Sequence, residues 1–418
     1  VTVTEATVTG ETETGEPSMS EPATAMSTGS GPLAGFRVVE LGVWVAGPAA
    51  AGLMADWGAD VVKVEPPSGD PQRRVFGALG VADQLGVPPF EIDNRGKRSV
   101  VLDLHTDDGR AHMERLLAGA DVFVTNVRPE ALARMGLAHA EVLERHPRLV
   151  YASLTGYGLE GPEANRAGYD IGAFWARSGV AHTFVPPGEL PPGLRSGMGD
   201  HVTGMSLLSG VLAKLLERSR TGLGGLVATS LLRTGMYTIG WDIGMVLRFG
   251  KRENTRPRER SRGPLMNCYQ TGDGKGFWLL LLEADRHWPK LIAALDRPDL
   301  AADERFADAR TRMANSEALI VELDAAFARF ERDELTARFD THDVWWAPIN
   351  SIYDVIDDPQ AQAAGAFIDM APRSGEAPYR AVNGPVDFDG HVMSPGRVPD
   401  LGEHTAEVLA ELDVLDAG

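Results

Sequence analysis

The sequence predicts an α/β protein: a large doubly wound domain built around a parallel sheet, with a smaller α+β domain set into it. Three observations predict this. Short Val-rich runs alternate with helical stretches of about ten residues through the first third of the chain, the pattern of βαβ units around a buried sheet. At 418 residues the chain exceeds what one hydrophobic core ordinarily serves, so two domains are expected. Finally, the character changes near residue 225 and changes back near 345.

Residues 1–31 are mostly Thr, Glu, Ser, Gly and Pro, and they cannot bury enough apolar surface to offset the entropy of ordering. They are read as a disordered tail. From Phe36 the runs FRVVEL (36–41), DVVKV (60–64), SVVLDL (99–104), DVFVTNV (121–127) and LVYASL (149–154) are expected strands. Pro48–Trp57, Thr106–Ala118, Glu130–Met135 and Ala138–Arg145 are the helices between them. The apolar positions Met205, Leu208, Val211, Leu212, Leu215 and Leu216 recur at helical spacing, predicting a helix over His201–Arg218 that ends at Thr221-Gly222. The basic run GKRENTRPRERSRG (250–263) reads as an exposed loop. It is followed by a strand at Phe277–Leu282 and helices near Arg286–Leu295, Asn315–Phe330 and Asp333–Phe339, with a last helix near Thr405–Leu412. The expected division is a large Rossmann-like domain of 32–224 plus 345–418 and a small domain with its linker at 225–344.

Composition narrows the function. A net charge of −19 argues against general binding to nucleic acid or anionic membranes, while leaving room for a local basic pocket. The single cysteine, Cys268, excludes an intrachain disulfide and fits a reducing compartment. No basic start with an apolar run resembles a signal peptide, and no apolar stretch is long enough to span a bilayer. A cytoplasmic protein is expected. There is no HExxH, no CxxC and no paired His at ligand spacing, so no metal site is expected. The first strand-to-helix junction, Gly42 to Pro48, lacks both GxGxxG and the P-loop Gly-Lys-Ser/Thr, and no GxSxG elbow exists.

Three segments carry candidate chemistry. Asn94-Arg-Gly-Lys97-Arg98-Ser99 and Asn126-Val-Arg128-Pro129 flank strands; each reads either as a solvated turn or as a clamp for phosphate oxygens. Gly197-Met-Gly199-Asp200 places Asp200 at the expected start of an apolar helix, where it reads as an N-cap. The glycines would also let a substrate carbonyl approach the backbone, with neighbouring amides serving an oxyanion.

These segments together resemble class III coenzyme A transferases, the CaiB/BaiF family, over about residues 32–413. The landmarks are LAGFRVVELG (33–42) with Ala46-Gly47-Pro48, GADVVKVEPPSGD (58–70), NRGKRSVVLDL (94–104) and NVRPEALARMGL (126–137). Tyr169-Asp170, Gly199-Asp200, RTGLGG (220–225), DDPQ (357–360) and LGEHTAEVLAEL (401–412) follow in order. The resemblance implies a reaction in which Asp200 attacks an acyl-CoA thioester, forms a mixed anhydride and then an aspartyl-CoA thioester, and yields CoA to an acceptor carboxylate. It implies a catalytic setting of Asp200, Gly199 and Tyr169. It also implies a CoA pocket of Val45, Ala46, Leu102, His105, Asn126, Val127, Arg134 and Met135, with Arg134 as phosphate contact. Lys97 and Arg98 are family-typical, either touching CoA or bracing the turn. The implied partners are an acyl-CoA and a small carboxylic acid, with coenzyme A as substrate, no permanently bound cofactor and an interlocked homodimer.

The nearest rival is an α-methylacyl-CoA racemase, which needs an acid/base pair about the α-carbon. Those enzymes carry a Gly-His-Asp run; here it is Gly168-Tyr169-Asp170, and Tyr, with an ordinary pKa of about 10, is a poor base. Glu283 falls where racemases carry an auxiliary Glu, or is a surface carboxylate. Arg262–Asn267 stands where some transferases have a run of glycines over the site, which leaves the lid and acceptor specificity open. A non-catalytic CoA-binding subunit is the third reading. Trp345 and Trp346 read as core or as the wall of an acyl pocket.

Overall fold

The computed structural model describes residues 31–78, 80, 86–371, 377–389 and 396–417. The expected tail therefore lies outside the described residues, except for Gly31. Strands β1 (Arg37–Leu41), β2 (Asp60–Glu65), β3 (Arg98–Val101), β4 (Val122–Thr125), β5 (Val150–Thr155) and β6 (Gly225–Ser230) form one parallel sheet in the order β3-β2-β1-β4-β5-β6. This is the doubly wound Rossmann order, whose direction of winding reverses between β1 and β4. Helices α1 (Ala46–Asp56), α2 (Val75–Ala78), α3 (Pro88–Asn94), α4 (Asp107–Ala118), α5 (Pro129–Arg134), α6 (His139–Arg145) and α7 (Met198–Thr221) connect the strands.

Alternation along the strands splits the core in two. Val38, Val61, Val122, Val124, Val150 and Ala152 pack against α1 and α7. Their neighbours Val39, Val62, Val64, Val100, Phe123 and Tyr151 face Met113, Leu116 and Leu117 of α4. Both faces are covered, which is why the strands read as continuous apolar runs. The C-terminal helix closes the second face, with Val408 and Leu412 buried there. Just before it, the Thr405 hydroxyl and the His404 ring accept the Val101 and Ser99 amides, covering the β3 edge. Each helix end has a local cause. The Thr106 hydroxyl accepts the Gly109 amide to start α4, and Gly222, at φ 75°, ends α7 in the left-handed region.

At α1, a side chain on Gly204 of α7 would stand 2.9 Å from the Ala46 carbonyl oxygen, so only glycine permits this crossing. Helices α8 (Leu231–Thr238) and α9 (Gly240–Phe249) follow β6. A second, antiparallel sheet is formed by β7 (Cys268–Gln270), β8 (Gly276–Leu279) and β9 (Trp346–Pro348). Around it stand α10 (Ala284–Leu295), α11 (Pro298–Ala302), α12 (Ala309–Ala314), α13 (Ser316–Phe327) and α14 (Arg332–Thr341). Its core includes Tyr269, Phe277, Phe327 and Phe339, with Tyr269 and Phe327 ring centroids 4.8 Å apart. Short helices α15 (Ile352–Asp357) and α16 (Pro359–Ala363) and a hairpin of β10 (Phe367–Met370) and β11 (Tyr379–Val382) lead back to α17 (Thr405–Ala417).

Two strands pair with partners on the other side of the division expected from sequence. Gly225–Ser230, assigned by composition to the small domain, is the edge strand of the large sheet, paired to β5. Trp346–Pro348, assigned to the large domain, pairs with β8. The third strand stops at Val101, so Leu102 to Leu104 belong to the turn after it.

Candidate functional site

The carboxyl ends of β1 and β4 meet at the switch point, the position where such sheets bind ligands. The turn after β1 is pinned by Asn126: its Oδ1 accepts the Val43 amide at 3.0 Å and its Nδ2 donates to the Val43 carbonyl at 2.7 Å. Gly47 lies so close that a Cβ would stand 3.1 Å from Asn126 Cγ. Trp44 holds a left-handed φ of 63°, unusual for a bulky side chain, with its amide donating to Asp70 Oδ1 at 3.1 Å. Val45 is the N-cap residue of α1, and Ala46 opens the helix, buried.

Beside this turn is a cleft of about 530 Å³. Its walls are mainly apolar, including Trp44, Val45, Phe76, Ile92, Ile171 and Leu194, and its ionisable lining residues are Asp93, Tyr169, Asp170, Asp200 and His201. Tyr169 is 63 % exposed and packs edge-on against Trp44, centroids 6.1 Å apart. After Asp170 the chain winds through π-type turns over Ile171–Arg177, a departure from the regular helix that is frequent at functional sites.

Asp200 is not the helix cap that its sequence context suggested. Gly197, at φ 80°, holds the cap position, and Asp200 is the third residue of α7. Its carboxyl is pushed up to about 7, first by burial and then by the neighbouring Asp170 charge, with His201 opposing. The Gly199 amide is not free for an oxyanion either, since it donates to Asp170 Oδ2 at 3.3 Å. What Gly199 provides is room: a Cβ there would stand 2.7 Å from the Phe174 ring and 2.9 Å from Asp170 Cβ.

The cationic clamp is corrected. Lys97 is buried, its Nζ bonded to Glu40 at 2.6 Å, the Pro48 carbonyl at 2.9 Å and Asn94 Oδ1 at 3.0 Å. Glu40 also holds Lys63 at 2.8 Å, and although burial alone would raise it, the two lysines keep it below the usual carboxylate range. Arg98 opens β3 and pairs with Asp60 and Glu411 at the amino ends of the strands, the edge opposite the cleft. Neither reaches the site. Leu102 is in the core under β3, Met135 and Val127 pack against the same cluster, and His105 and Arg134 are exposed after their strands. Glu283 is exposed, paired with Arg286, and lines no part of the cleft. In the 262–267 segment Leu265 and Asn267 are buried, with Asn267 Nδ2 donating to the Arg258 carbonyl at 3.2 Å. Trp346 packs against the core around Phe277 and Phe327, and Trp345 is half-exposed beside the His287 ring.

Sequence reading missed the groups that surround Asp200. Asp93 contacts His201 across 108 residues of chain, which no local motif signals. Asp170 stood only as a landmark, and Trp44 would have been found only through its backbone angle. Among the described residues, no group of three His, Cys, Asp or Glu is placed to hold a metal ion, and no helix is long and apolar enough to cross a membrane.

The profile of CoA-transferase family III matches residues 33–405. The (R)-2-hydroxy-4-methylpentanoate CoA-transferase of Clostridioides difficile is 33 % identical over 91 % of this chain and 95 % of its own. The cinnamoyl-CoA:phenyllactate CoA-transferase of Clostridium sporogenes is 31 % identical over 93 % and 95 %. A crystal structure of a CaiB/BaiF family protein from Brucella suis superposes with a TM-score of 0.79 at 32 % identity, covering 92 % of this chain and all of that one. A parallel sheet with a switch-point turn, a cleft in which the Asp200 carboxyl is raised and relatives matched along nearly their whole length converge: the chain belongs to CoA-transferase family III.

Proposed function

We propose that Asp200 is the covalent carrier through which this CoA-transferase passes coenzyme A from an acyl-CoA to a carboxylic acid. The observation that carries the proposal is a carboxyl pushed up to about 7, first by burial and then by Asp170, in a mainly apolar cleft beside the switch-point turn. An Asp200 oxygen attacks the thioester carbon, the C–S bond breaks, and the CoA thiolate leaves with the electron pair. The thiolate then attacks the Asp200 carbonyl of the anhydride and releases the donor carboxylate. The acceptor carboxylate reverses both steps and leaves Asp200 free, with no net proton taken up. The Val45–Ala46 turn and the Asn126, Val127, Arg134 and Met135 edge support CoA binding there, with Asn126 holding the turn and exposed Arg134 facing phosphate. Coenzyme A enters as substrate rather than as a resident group.

The lining of the cleft supports acyl groups with an apolar end, such as the branched and aromatic ones in the names of the two relatives above, over dicarboxylates. No Lys or Arg is among its described lining residues to pair a second carboxylate. A homodimer is part of the proposal. On α9, Trp241 is 85 % and Leu247 82 % exposed, and no residue of that helix is buried within the chain. The lone cysteine, unpaired, fits a cytoplasmic setting.

Incubation with a panel of acyl-CoAs followed by intact mass tests the assignment. A CoA or acyl adduct mapping to Asp200, absent in Asp200→Ala, is expected, together with loss of transfer on the order of 10³-fold or more. Deuterium exchange at an α-carbon without an adduct would establish the racemase reading, and tight CoA binding with neither would establish a binding subunit.

A further inference from the structure

His201 follows Asp200 in the first turn of α7, and its ring turns toward α3, where Nε2 lies 3.0 Å from Asp93 Oδ1. Asp93 is 2 % exposed, and its other oxygen has no hydrogen-bond partner among the described residues. A carboxylate that deep with one partner is costly to ionise unless the partner is cationic. The Cε1–Nδ1 edge of the ring faces Gly197, whose missing Cβ would stand 3.5 Å from His201 Cε1. The ring is half-exposed at the cleft that Asp200 also lines.

Three carboxyls surround this imidazole: Asp93 from α3, Asp170 from the π-type turns and Asp200 from its own helix. Behind Asp93 stand Lys97 and Glu40, bonded to each other. Among the described lining residues, His201 is the one side chain that can bring positive charge to the mouth of the cleft.

We propose that His201, clamped by buried Asp93, is a positioning residue that places positive charge beside the Asp200 nucleophile. Resting on the assignment of Asp200 above, the pair has two tasks. Before attack it offsets Asp170, so that Asp200 meets the thioester as a carboxylate. During attack it offsets the charge that passes from Asp200 to the departing thiolate. No proton need move for either. The bond to Asp93 raises His201 above the usual imidazole range against burial, while burial raises Asp93, so the two groups compete for one proton. The pair thus keeps its shared proton to a higher pH than either group alone.

The test uses the full chain without ligand. The His201 ring is titrated by NMR in the wild type, Asp93→Asn and Asp200→Asn. Coupling between two sites is reciprocal, so the His201 titration is expected to move down in both variants. A titration unmoved by Asp200→Asn overturns the proposal, whatever the adduct experiment says about Asp200. A second readout is the rate of adduct formation from 4-methylpentanoyl-CoA against pH. His201→Gln is expected to slow it about tenfold at pH 6 and little at pH 9, with His201→Lys restoring the acid side. An equal loss at every pH, unrescued by Lys, marks a merely structural histidine and sinks the idea.

Discussion

At Asp200 two influences compete, and their sizes decide the outcome. A carboxylate in the first turn of a helix gains about 0.3–1 kcal/mol from the aligned peptide dipoles. The rise from 3.8 to about 7 corresponds to a penalty on the order of 4 kcal/mol against ionisation, so burial and Asp170 prevail. The folded state therefore holds this proton more tightly than the unfolded chain. The associated stability is complete below the ordinary Asp range and is lost as pH rises through about 7. Asp200→Asn is expected to raise the thermal midpoint by several °C at pH 8, with a smaller gain at pH 5, by calorimetry at both values. A midpoint gain independent of pH would show that the carboxyl is not raised. The sequence pointed to this residue through its glycines and its family setting, yet mistook its place on the helix. The left-handed angle that makes Gly197 the cap is a property of backbone, not of composition. His201 and Asp93 escaped because their meeting is tertiary.

Among the elements, β1, β2, β4 and β5 were legible because a strand buried on both faces leaves an unbroken apolar run. The edge strand β6 has only one neighbour, and its residues alternate between exposed and covered. Its sequence GLVATS therefore carries no such run, and the glycines before it suggested a boundary. Lys97 shows the converse failure. Charge next to a strand was legible; the side to which it turned was not, since Glu40 lies 57 residues earlier. Burial makes Lys97 a structural cation, and Lys97→Met would leave Glu40 with Lys63 as its sole counter-charge. The expected cost is about 3–5 kcal/mol in chemical denaturation. A variant as stable as the wild type but weaker for CoA would restore the phosphate clamp.

For the whole molecule, a net charge of −19 makes self-association dependent on apolar contact, and α9 offers it. Trp241→Glu together with Leu247→Glu is expected to shift sedimentation velocity from dimer to monomer; a wild-type chain that already sediments as a monomer contradicts the proposed assembly. Composition suggested where the chain changes character, but not the pairing of Gly225–Ser230 with β5 or of Trp346–Pro348 with β8, which join distant segments. The close crossing at Gly204 has a consequence for how such an enzyme opens. Backbone rests on backbone there, with only the Ala49 methyl beside the contact between α1 and α7. The turn that ends in Val45 and the turn that carries Asp200 are thereby ends of one rigid strut. The α3 wall is held as well, since a Cβ on Gly52 of α1 would stand 2.6 Å from the Asp93 carbonyl oxygen; adjustment to acyl chains of different length then falls to Phe76, on the short helix α2.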